Sequence, residues 1–131
     1  MSGVVVVNYS ESRLIQKVTI SWTTNASGDA TIDTKRLSGR VVRASFIPSG
    51  VDVPTASYTV RINDNDGIDI LSGYGLAGLS ATNSTTVTPM AVDSILGQPS
   101  SYPFVIDGVL SVTVGSAGAN TSGRISLYIE R

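Results

Sequence analysis

The chain has 131 residues, 9 of them basic and 10 acidic, a formal net charge of −1, and neither histidine nor cysteine. That length suits one domain with a core of its own. The missing cysteine excludes disulfides and zinc–thiolate sites, and without histidine no Ser-His-Asp or Cys-His catalysis can be built. A near-neutral balance without a basic stripe argues against nucleic acid as a partner.

The first segment, residues 1–9, reads as an N-terminal arm or an edge strand. It carries the longest apolar run, Val4-Val5-Val6-Val7, far below the ~18 residues of a membrane span, so no membrane partner is expected. Met1-Ser2-Gly3 lacks the basic region and apolar stretch of a secretory signal, which leads us to expect synthesis and folding in a cytoplasm. Glu11–Val18 has the pattern of a single helical turn.

From there the dominant period is two, the mark of half-buried strands. Val18, Ile20 and Trp22 alternate with Thr19, Ser21 and Thr23. Trp22, the one tryptophan, shares a face with Val18 and Ile20 and is therefore assigned to the core rather than to an exposed sugar platform. Ala26-Ser27-Gly28-Asp29 is a turn, and Ala30–Asp33 a short strand. Lys35, Arg36, Arg40 and Arg43 form the densest basic stretch, but Asp29 and Asp33 precede it and it reads as solvated surface. Val42, Ala44 and Phe46 mark the next strand, closed by Pro48-Ser49-Gly50, and Tyr58, Val60 and Ile62 the one after.

Asn63-Asp64-Asn65-Asp66-Gly67-Ile68-Asp69 is dense in oxygen ligands. With Gly67 at the glycine of a calcium loop, the first ligand falls on Ile62 and the closing glutamate on Gly73, so the spacing fails. A hairpin tip built on Asx residues is expected instead, with no metal. Ile68–Leu71 reads as a short strand. Ser72–Gly78 reads as a bulged strand or wide loop. Its Gly73, Gly75 and Gly78 have the spacing of a dinucleotide fingerprint without the strand–helix setting, so no cofactor is expected.

Thr85–Met90 and Tyr102–Ile106 are weaker strands, Ala91–Leu96 a helical turn, and Gly97–Pro103 a loop with two prolines. Leu110, Val112 and Val114, then Ile125, Leu127 and Ile129, alternate with polar neighbours and end the chain in two strong strands. The sequons at Asn25, Asn83 and Asn120 read as polar turns. The fold expected is all-β, an antiparallel, jelly-roll-like β-sandwich of about 8–10 strands forming one domain over residues 1–131.

With 41% apolar and 15% charged residues, against about 25% charged in average soluble domains, the surface is suited to burial against another chain. Val4, Val5, Val6 and Val7 are candidates to add to a neighbour's sheet, and Tyr74 and Leu76 complete the candidate subunit interface. A homo-oligomer, dimer or trimer, is expected.

Three stretches carry a resemblance: Leu37-Ser38-Gly39-Arg40-Val41-Val42-Arg43-Ala44-Ser45-Phe46-Ile47-Pro48, the run from Tyr58 to Leu71, and Val105–Val114 with Gly123–Ile129. Together they resemble small virion structural proteins of tailed bacteriophages, and in size and predicted sandwich the chain is similar to capsid decoration, or cement, proteins. The resemblance implies a non-enzymatic protein on the outside of the virion that clamps the major capsid protein. A head-fibre, neck or tail component, and a carbohydrate- or receptor-binding β-sandwich module, are the alternatives.

Overall fold

The computed structural model describes residues 3–71, 75–76, 79–87, 90–93, 98–103 and 105–130. Nine strands run through them: β1 (Val4–Glu11), β2 (Ile15–Thr23), β3 (Ala30–Pro48), β4 (Thr59–Asn63), β5 (Thr85–Val87), β6 (Met90–Asp93), β7 (Gln98–Pro103), β8 (Val105–Gly115) and β9 (Ser122–Glu130). Every pairing is antiparallel. The main order is β1-β2-β9-β3-β8-β4, with β5 also on β3 and a separate β6-β7 ribbon.

The long strand β3 is what makes a sandwich of this order. Its first half, Ala30 to Arg40, pairs with β8, and its second half, Arg40 to Pro48, pairs with β9. β5 takes the opposite edge of that second half, at Ala44 to Phe46. One layer is therefore β1, β2, β9, the end of β3, and β5. The other is the start of β3, β8 and β4.

Two register shifts, between Asp33 and Arg36 and between Val41 and Arg43, bend β3 as β-bulges do. At the first, the Thr34 hydroxyl accepts from Leu110 N at 3.1 Å and donates to Lys35 O at 2.8 Å, supplying bonds the interrupted ladder lacks. Gly39 has a φ of 136°, and a Cβ there would stand 2.5 Å from Glu130 O, so this crossing needs glycine.

The layers close on one core. Val18, Ile20 and Trp22 of β2 and Ile125, Leu127 and Ile129 of β9 meet Val60 and Ile62 of β4 and Leu110, Val112 and Val114 of β8. Trp22 and Tyr58 touch across it, ring centres 5.5 Å apart. Between the layers, the Tyr9 hydroxyl of β1 accepts a hydrogen bond from Lys35 N at 2.8 Å.

Several sequence expectations change. Glu11–Val18 is not helical: β1 ends at Glu11, Ser12 N donates to Ile15 O at 2.8 Å, and β2 starts at Ile15. Leu14 mimics a helical spacing but sits exposed at the hairpin tip. Ala91–Leu96 is strand as far as Asp93, its remaining residues lying outside those described. Gly97–Pro103 is strand β7 from Gln98 on, because each strand of a two-stranded ribbon has a free edge that tolerates proline. Ile68–Leu71 makes only a bridge, Asn63 to Asp69, before turning inward to bury Ile70 and Leu71.

Candidate functional site

The Asx-rich tip between β4 and Asp69 is occupied by its own backbone. Asp64 Oδ1 accepts from Asp66 N at 2.9 Å and Ile68 N at 3.0 Å, and Gly67 turns with φ 80°. Asp69 Oδ1 accepts from Leu71 N at 3.1 Å and Ile62 N at 3.3 Å. Among the described residues no group of three acidic side chains is placed for a metal. Trp22 is buried in the core, as its alternation required.

The nominated interface residues separate. In β1, Val5 and Val7 face inward and pack on the core. Val4 and Val6 face out and are 69% and 53% exposed. β1 is the first strand of the order, paired on one side with β2. Leu76 is exposed at the other end, since Gly75 O receives Val60 N of the terminal strand β4. Tyr74 lies outside the described residues. Thus Val4 and Val6 form an edge patch that Leu76 does not join.

Beside this patch, Val4, Val6, Ser21, Ile47, Pro48 and Arg124 line a shallow groove of about 450 Å³. The pairing explains it: Val6 stands opposite Ser21, Ser21 opposite Arg124, and Arg124 opposite Ile47.

One step along the strands, the same outward face carries a row of small polar residues: Asn8, Thr19, Ser126, Ser45 and Thr86, successive cross-strand partners on β1, β2, β9, β3 and β5. At its centre Ser45 and Ser126 are only 8% and 4% exposed. They are recessed because larger side chains flank them, Arg124 and Ile47 on one side, Tyr128 and Arg43 on the other. Ser45 and Thr86 share a hydrogen bond of 3.2 Å.

The next row is Ser10, Lys17, Tyr128 and Arg43. Tyr128 stands between two cations, with Arg43 4.0 Å and Lys17 5.6 Å from its ring centre. The hydrogen bond from Arg43, with the nearby charge of Lys17, holds its phenol below the usual tyrosine value. A ring flanked in this way is not a bare stacking platform. The arrangement can hold a ligand by hydroxyls and positive charge. The alternation in the sequence marks Thr19, Arg43, Ser45, Arg124, Ser126 and Tyr128 as outward but not the trough, because the trough depends on cross-strand register.

No protein-family model and no curated protein matches the chain. A solved structure it is similar to is the low-affinity xylan-binding module CBM86 from the gut symbiont Roseburia intestinalis, at 14% identity over 97% of this chain and 85% of that one, with a TM-score of 0.41. What that module binds belongs to that module.

Proposed function

We propose that this is a non-enzymatic binding and assembly protein, joined to its partners through the β1 edge. The observation that carries this is an eight-residue edge strand whose outward side chains include Val4 and Val6, both more than half exposed. An apolar edge left open invites pairing, and strand addition satisfies its backbone while covering the valines. The sparse charge of the chain supports the same reading, since little charge is desolvated on contact.

Read with the resemblance to tailed-phage structural proteins, the partner is the major capsid protein and the site of action the outer capsid surface, the chain acting as a decoration protein. A protein that binds only the assembled lattice stabilises it by mass action, and repeated contacts around a symmetric oligomer add through multivalency. Co-sedimentation with expanded shells of the cognate major capsid protein tests this. Stoichiometric binding that raises the heat resistance of the shells is expected. Protein that stays in the supernatant refutes it.

A second reading, a carbohydrate-binding module, is favoured by the recessed row through Thr19, Ser126 and Ser45. A glycan binder needs no shell, so the same sedimentation experiment separates the two.

A further inference from the structure

We propose that the trough across the outward face of the larger layer binds a carboxylate-bearing polysaccharide, a polyuronate. This deepens the carbohydrate-binding reading, on which it rests, and leaves the assembly reading standing either way.

The shape is set by the pairing. Five strands about 4.8 Å apart make the row from Asn8 to Thr86 roughly 19 Å long. That is a path for an extended chain, not a cup for one small molecule. The floor presents hydroxyls and an amide, the groups that exchange hydrogen bonds with a polyhydroxylated ligand.

Ser126 points to a ligand independently. It is 4% exposed and faces the trough between Thr19 and Ser45. Its hydroxyl has no hydrogen-bond partner among the described residues, whereas Ser45 beside it has Thr86. The hydroxyl opens onto the trough, unlike the fully buried unpaired atoms Trp22 Nε1 and Asn63 Oδ1, so a sugar hydroxyl lying there bonds it directly.

The charge sets the class of sugar. The three ion pairs among the described residues use Lys35, Arg36 and Arg40. Lys17, Arg43 and Arg124 are in none of them, and they stand in the rows directly on either side of the floor, about 7 Å away along the strands. The carboxylate on this face, Glu130, is held by Arg40. A chain lying on the hydroxyls therefore passes unneutralised cations on both flanks, which suits carboxylates spaced along a polymer. Nucleic acid is disfavoured, because the net charge is −1 and the floor offers no free aromatic for base stacking.

The test is affinity electrophoresis of the purified chain in gels containing polygalacturonate, neutral galactan or a single-stranded DNA oligomer. Polygalacturonate is expected to retard it at least about tenfold more strongly than galactan, the size of one charge-assisted contact. The double variant Lys17→Gln/Arg43→Gln should lose that preference, and Ser126→Val should weaken binding of the polyuronate while keeping the fold. Equal retardation by galactan overturns the acid selectivity and keeps the glycan reading. No retardation by either polysaccharide overturns both. Retardation by DNA as strong as by polygalacturonate, unaffected by Ser126→Val, reduces the face to non-specific ion exchange and overturns the proposal.

Discussion

Gly123 of β9 lies opposite Trp22 of β2, and a Cβ on it would stand 2.6 Å from the indole Cζ2. The indole fills the space that glycine leaves, so sheet pairing and core packing are fixed by the same residue. The backbone oxygen of Ile47, 3.0 Å from that Cβ position, closes the other side. Gly123→Ala should therefore destabilise the fold by about 1–3 kcal/mol, the usual cost of overpacking a filled core. Urea denaturation followed by Trp22 fluorescence measures it, and an unchanged midpoint would show that the layers can part there without cost.

The Asx-rich tip yields a second prediction. Asp64→Ala removes the acceptor of two backbone amides, Asp66 N and Ile68 N, and should lower stability by about 1 kcal/mol. Because these carboxylates serve the turn, added calcium should leave the thermal midpoint of the native chain unchanged. A calcium-dependent rise in Tm would restore the metal-loop reading.

Alkaline pH separates two tyrosines. Burial pushes the Tyr58 phenol up to about 12 from 10.0. The unfolded chain then loses this proton first, so the contribution of Tyr58 is fully present below pH 10 and is lost as pH rises toward 12. Tyr128 moves the other way, chiefly through its hydrogen bond with Arg43. Its lowered value favours the folded state above the ordinary tyrosine range, a gain that fades as pH falls through the folded value. Ultraviolet titration should show an early-ionising tyrosine that disappears in Tyr128→Phe, and a late one exposed only as the protein unfolds.

Assembly in solution should depend on β1. Val4→Lys/Val6→Lys places charge on side chains that are already outside the core, so the thermal midpoint should hold within about 0.5 kcal/mol of stability. The mass by light scattering should fall from an oligomer to the monomer. Val7→Lys, by contrast, should damage the fold, since Val7 packs on the core.

These residues also show what could be read in the sequence. The strands built on Val18, Ile20 and Trp22 and on Ile125, Leu127 and Ile129 were legible because one face is wet and the other dry. Four consecutive valines have no such contrast, so the division into Val4 and Val6 outside and Val5 and Val7 inside needed the pairing with β2. Strand β3 looked like two strands because its bulges break the period between Asp33 and Val42. Leu14, Ile15 and Val18 imitate a helical stripe across a hairpin. The trough was hidden for another reason: Thr19, Ser45 and Ser126 are distant in sequence, and nothing local aligns them. The basic stretch from Lys35 to Arg43 also divides, with Arg36 paired to Asp107, Arg40 to Glu130, and Arg43 beside Tyr128.

The most direct test of assembly through β1 is amide hydrogen exchange on the chain, free and bound to cognate capsid shells. The β1 amides that point away from β2 should exchange quickly in the free protein and become protected on binding, more than any other exposed strand. Binding that leaves those amides exchanging as before would contradict strand addition and move the contact to another face.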